Sequence, residues 1–330
     1  MVEMVLSEEF AADSRAIAVR RFGPGERRFR AFTAAAALIV LAIFIGALTA
    51  LVIGAWPALH AFGWPFLWTQ VWNPVTEKFG ALAPISGTLI TSALAMVIAV
   101  PVGIGIAIFL TEICPRSLRR PVGIAIELLA GIPSIIFGIW GLFVFAPYFQ
   151  QHIQPWLIDS FANVPVLQDL FAGPPYGIGM FTASLILSIM ILPFISAVSR
   201  DVFETVPPAL KESAYSLGCT KWEVMWRVVL PFARSGVVGG SMLALGRALG
   251  ETMAVTFVIG NAHRISESIF APGTTIAAAI ANEFTEAYGA LYLSSLIAIG
   301  LILFVITFIV LAAAQIMLYQ LERRAGGRSQ

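Results

Sequence analysis

Long stretches of this chain run without Asp, Glu, Lys or Arg, among them those between Arg30 and Glu77, Lys78 and Glu112, Asp169 and Arg200, and Glu286 and Glu322. A hydrocarbon core about 30 Å thick is crossed by roughly 20 helical residues. The four stretches therefore predict membrane spans at 31–55, 84–111, 176–199 and 287–318. Two further apolar segments carry charges: 121–149 holds Glu127, and 232–261 holds Arg247 and Glu251. Lipid offers backbone groups no hydrogen-bond partner, so runs of this length must be helices, and their all-round apolarity separates them from surface helices. The expected fold class is all-α, a polytopic membrane protein with six transmembrane helices.

Composition agrees. Only 12% of the residues are charged, against about 25% in a soluble domain. Lys plus Arg (20) nearly balances Asp plus Glu (19), which leaves no polycationic surface for nucleic acid. Cys114 and Cys219, the only cysteines, are too few for a disulfide scaffold or a Cys-rich metal site. The histidines His60, His152 and His263 fall in separate expected outer loops without ligand spacing, and each is read as a solvated loop residue.

The first apolar run starts after a 30-residue tail and exceeds a signal-peptide core, so it is read as a retained anchor. The expected layout is a tail at 1–30, an anchor helix at 31–55, an outer segment at 56–83, a transmembrane core at 84–318 and a second tail at 319–330. Seventeen Lys and Arg residues fall on one side of this layout and two, Lys78 and Arg264, on the other. By the positive-inside rule both termini are cytoplasmic. Trp56, Trp64, Trp68 and Trp72 then form an outer aromatic belt. Pro101, Pro133 and Pro193 lie inside spans, where each removes a backbone bond and permits a kink.

The longest inner loop reads as a helical hairpin over 207–231. Pro207 and Pro208 open a first helix at 209–217, and Gly218 stops it. Thr220 with Glu223 forms a capping box for a second helix, which Pro231 ends before the fifth span. Trp222, Met225, Trp226 and Val229 recur at i, i+3, i+4 and i+7 and predict one apolar face. Such a hairpin either presents a knob to a cytoplasmic partner or lies on lipid headgroups.

Within it, Glu212-Ser213-Ala214, Gly218, Val228, Leu230 and Pro231 resemble the EAA motif of ABC importer permeases at every spacing, with Ser213 for Ala and Val228 for Ile. The resemblance implies a MetI-like, type I importer permease fold in a bacterial cytoplasmic (inner) membrane. It also implies a coupling helix, carried by Glu212, Ala214, Gly218, Trp222, Leu230 and Pro231, that docks on an ATPase subunit. The chain has no Gly-Lys pair and hence no phosphate loop of its own. No enzyme activity and no bound cofactor are expected of it; ATP and Mg belong to partner subunits.

Arg247 lies about 18 Å along a helix from Ser235, near mid-membrane, and Glu251 is expected on the same face at i+4. Charges at that depth are costly and face protein or water, either as an ion pair fastening helices or on a substrate path. Gly236/Gly240 and Gly246/Gly250 are small-xxx-small pairs suited to close helix approach. The stretch from Arg247 to Val255, continuing to Gly260-Asn261, is similar to the signature of PstC-type permeases of phosphate importers, as is 130–135. PstA-type permeases share its Arg-x-x-Gly-Glu-Thr core but follow it with Ala-Pro.

What this implies is a phosphate path through Arg247, Glu251 and Thr252, with Glu251 holding the arginine in the empty state and an outer vestibule lined by 150–176 and 262–286. The implied partners are a second, PstA-like permease, two PstB-like ATPase subunits, an external PstS-like phosphate-binding protein and the lipid bilayer. A sulfate or molybdate importer is the alternative within the class, and an ATP-independent secondary transporter or channel the alternative outside it. Glu127 receives no role.

Overall fold

The computed structural model describes residues 24–326; the expectations for 1–23 and 327–330 lie outside the described residues. The chain divides into two units, Met1–Ile53 and Gly54–Gln330. In the first, the described residues form one helix, the start of α1 (Pro24–Phe62). Its apolar side chains, Phe32, Leu38 and Ile43 among them, are exposed all round. That pattern is satisfied by lipid.

Among the described residues six helices are long and apolar enough to cross a membrane: Arg28–Phe62 within α1, then α2 (Leu82–Ile113), α4 (Ser134–Phe161), α5 (Met180–Glu204), α7 (Lys221–Leu249) and Ala290–Gln320 within α10 (Ala290–Gly326). Shorter helices are α3 (Arg116–Ala130), α6 (Pro208–Ser216), α8 (Met253–Val258) and α9 (Ile276–Glu283). Among the described residues the only β pairing is an isolated bridge between Asn73 and Lys78. The bundle core joins α2, α5, α7 and α8 through Ala95, Ile191, Ala244 and Val255. Close approach of α7 to α5 depends on glycine: a Cβ at Gly236 or Gly240 would meet Val202 or Val198 at 2.6 and 2.5 Å. The small-residue reading of that pair holds. Pro101 and Pro193 both sit inside continuous helices.

Helix ends differ from expectation by several residues: the first helix runs past 55 to Phe62, so His60 lies on it and not in an outer loop, and the fourth is Met180–Glu204 and not 176–199. Three further differences change the architecture. The third span is Ser134–Phe161, not 121–149. Gly131 caps α3, and Pro133 stands as N-cap of the next helix. A proline cannot donate into the preceding turn and forces the residue before it out of helical conformation. His152 and Pro155 consequently lie on that span rather than in an outer loop.

The fifth span does not run unbroken through 232–261: α7 ends at Leu249 with Gly250 as its cap, and α8 restarts at Met253. Pro231, lastly, does not end the hairpin's second helix. The chain passes through a π-helical turn, Met225–Val229, and continues as one helix. The wider turn accommodates the proline ring and its missing N–H.

Candidate functional site

The hairpin follows its sequence grammar closely. Pro207 and Pro208 open α6. Its end is a complete Schellman motif: Gly218 N–H donates to the Tyr215 carbonyl (2.9 Å) and Cys219 N–H to the Ala214 carbonyl (3.2 Å), with Gly218 at φ +84°. The capping box is present on both sides, Glu223 N–H to Thr220 Oγ1 and Thr220 N–H to the Glu223 carboxylate. Ala214, Val224, Met225 and Val229 are buried with Ala107 and Phe203 from α2 and α5.

The predicted apolar face splits in two. Met225 and Val229 join that core, whereas Trp222 and Trp226 stay exposed, edge to face at 5.3 Å. Glu212 is exposed and makes no ion pair with any described residue. The inner end of α2 holds both arms of the hairpin: Lys211 Nζ pairs with Glu112 at 2.6 Å, and Lys221 Nζ donates to the Glu112 carbonyl at 3.3 Å. The sequence reading missed this clamp, because nothing local marks partners about a hundred residues apart.

Arg247 occupies the last turn of α7, where a helix C-terminus favours a cation. It is exposed on this chain and forms no hydrogen bond or ion pair with any described residue. The expected ion pair with Glu251 is not formed. Because the helix unwinds at Gly250, Glu251 leaves the i+4 position and turns its carboxylate towards the N-terminus of α8, 3.5 Å from Ala254 N–H. Thr252 forms the N-cap of α8, and its Oγ1 donates to the Gly250 carbonyl. A broken helix with polar groups at the break suits a cavity wall, since unpaired backbone at membrane depth is tolerated only beside protein or water.

At the opposite end of the bundle, His263 is no solvated loop residue. It stacks on Trp72 at 4.9 Å, and its Nε2 meets Glu283 Oε1 at 2.5 Å. Trp72 Nε1 and Tyr292 Oη donate to the other carboxylate oxygen at 2.7 and 2.6 Å. Trp72 thus leaves the aromatic belt, while Trp56, Trp64 and Trp68 remain exposed as expected.

Burial pushes the Glu283 carboxyl up, but the hydrogen bonds from His263, Tyr292 and Trp72 outweigh it and hold the group below the ordinary carboxylate range. Its contribution to stability is therefore complete above about pH 4.3 and drains away as pH falls through the lower folded value. Glu283→Gln is expected to cost roughly 2 kcal/mol at neutral pH, a deficit that shrinks on acidification. Thermal unfolding across pH checks it; a deficit independent of pH would deny the carboxylate's charge any part.

The loops expected to line a vestibule do meet. Residues of 172–176 and 264–271 surround a cavity of about 330 Å³ that includes Arg264 and Tyr176. Ser268 Oγ ties the two loops together by donating to the Ala172 carbonyl at 2.6 Å.

Comparison with known proteins places this geometry. Residues 99–324 match the family described as binding-protein-dependent transport system inner membrane component. The phosphate transport system permease protein PstC of Mesorhizobium japonicum is 65% identical over 95% of this chain and 96% of its own length. The protein of the same name from Pasteurella multocida is 60% identical over 91% and 94%. Among solved structures, a chain from a bacterial alginate ABC transporter in complex with alginate pentasaccharide-bound periplasmic protein superposes with a TM-score of 0.60. It is 20% identical, over 90% of this chain and 96% of that one. A chain of the MetNI methionine ABC transporter gives 0.52 at 16% identity, over 78% and 99%. With the hairpin, the six spans and these matches together, the chain belongs to the binding-protein-dependent inner membrane components, the permease subunits of ABC importers.

Proposed function

We propose that this chain is the PstC-type permease of an ATP-driven importer of inorganic phosphate, forming the translocation path with a second, PstA-like permease. The observation that carries the substrate is Arg247, an unpaired cation on an exposed face where a membrane helix breaks. Such a charge cannot face lipid, so a partner permease and a water-filled path cover it. A guanidinium fork offsets phosphate desolvation and receives the anion's oxygens two at a time. Glu251, turned to the α8 N-terminus, and Thr252 form the adjoining wall. The phosphate in the names of these relatives points the same way and not to sulfate or molybdate.

The hairpin, with Glu212 and the paired Trp222 and Trp226 exposed and its inner face anchored through Ala214, Leu230 and the Glu112 clamp, is the docking element for one of two PstB-like ATPase subunits. ATP and Mg are bound there, and this chain performs no chemistry of its own. Pro231 lies inside α7, so the hairpin's second arm and the fifth span move as one helix. The outer loops around Arg264 receive phosphate from a PstS-like binding protein. Both termini are placed on the cytoplasmic side in this reading, which the distribution of Lys and Arg supports.

The test is uptake of labelled phosphate by cells whose only phosphate importer contains this chain. Excess sulfate or molybdate is expected to leave uptake unchanged; competition by either would transfer the substrate assignment to that anion.

A further inference from the structure

The reading above leaves α3 without a part. Its polar face and the end of α5 enclose a cavity of about 370 Å³ lined by Arg116, Arg119, Arg120, Glu127, Arg200 and Glu204, with Ile124 at its edge. Glu127, which the sequence left without a role, pairs with Arg200 at 2.7 Å. Arg200 also pairs with Asp201 at 3.3 Å and packs so close to the buried Gly123 of α3 that a Cβ there would come within 3.0 Å of its Nη1.

The remaining arginines are under-used. Arg119 spends one Nη on the Thr111 carbonyl, and its buried Nε has no acceptor. Arg116 and Arg120 make no hydrogen bond or ion pair with any described residue. Three guanidinium groups therefore converge with only Glu204 to balance them. Converging positive charges of this kind suit a phosphate oxyanion.

Two sources offer that group, a phospholipid headgroup and the free ion. The surroundings favour the lipid. Beside the arginines α3 exposes Ile124 and Leu128, one turn apart, apolar surface that a free anion has no use for and an acyl chain does. A helix with basic residues on one face and exposed apolar residues on the other lies in the plane of the headgroups. We infer that this cavity seats the phosphate of an anionic phospholipid, with its chains over Ile124 and Leu128. Basic pockets between membrane helices at the cytoplasmic boundary bind such headgroups.

The chain, purified with the subunits that extract with it, is incubated with phosphatidylglycerol or phosphatidylcholine, and bound lipid is read by native mass spectrometry. The wild type is expected to retain phosphatidylglycerol preferentially. Arg116→Gln/Arg120→Gln should retain it roughly thirtyfold less, whereas Arg116→Lys/Arg120→Lys, which keeps both charges, recovers most of the loss. Millimolar inorganic phosphate should leave retention unchanged.

Equal retention by the wild type and the Gln pair overturns the site. So does a Lys pair as weak as the Gln pair, because the loss then reflects the helix and not its charge. Displacement of the lipid by inorganic phosphate assigns the cavity to the free ion and overturns the lipid reading. None of these outcomes bears on phosphate transport through Arg247, so the two proposals fail separately.

Discussion

Replacing Arg247 with Gln should reduce phosphate accumulation at least about a hundredfold while the chain still inserts and extracts with its partners. The size follows from the bonds at stake. Two charge-assisted hydrogen bonds to an oxyanion are worth about 1.5–3 kcal/mol each, and the two together at the lower figure, about 3 kcal/mol, give roughly a hundredfold. Stability should not change in step, because Arg247 is exposed and makes no bond to any described residue. A substitution of that kind usually stays within about 0.5 kcal/mol. Arg247→Lys keeps the charge as a point without the planar fork, so it should fall between the two. The measurement pairs initial uptake rates with the amount of chain in the membrane and the amount of partner that co-purifies. Unimpaired uptake by the Gln variant removes the arginine from the path; a loss of uptake that merely tracks lost assembly makes it a fastening residue instead.

What could be read in advance divides along physical lines. Spans were legible because lipid selects on composition alone: uncharged runs of sufficient length admit one backbone solution. The hairpin was legible because caps are local. Thr220, Glu223 and Gly218 do their work within five residues, and the structure reproduces each bond. Breaks inside apolar segments were less legible. Gly250 and Pro133 interrupt helices, while Pro231, Pro101 and Pro193 do not, and only the surrounding packing decides between these outcomes.

Treating 121–149 as one span hid α3, whose arginines and exposed leucines mark an interfacial helix once its end at Gly131 is known. Contacts between distant segments had no sequence signal. Trp72 and Glu283 are 211 residues apart, and Lys211 and Glu112 are 99 apart. Predicting an Arg247–Glu251 pair failed for a related reason, since i+4 spacing places two side chains together only where the helix persists.

Gly218→Val tests the mechanical role of the hairpin. Gly218 holds φ +84° at the end of α6, and a Cβ built on it meets nothing within 4 Å. Packing is thus not at issue; only the backbone is. An L-residue in this conformation costs about 1–2 kcal/mol, and a β-branched one is a genuine outlier there. The Schellman bonds from Gly218 and Cys219 back to Tyr215 and Ala214 should therefore loosen, and α6 should lose its fixed angle to α7. The bundle core around Ile191 and Val255 contains no residue of the hairpin and should remain folded. Accumulation of phosphate is expected to fall tenfold or more in Gly218→Val, and transport per ATP hydrolysed to fall with it. Gly218→Asn provides the control, because asparagine enters the left-handed region readily while adding a side chain of comparable size. If Asn preserves transport and Val abolishes it, backbone geometry at this turn carries force from the ATPase to the membrane helices. If Val transports as well as the wild type, the turn's angle is irrelevant to coupling, and the work of hydrolysis must reach α7 by another contact.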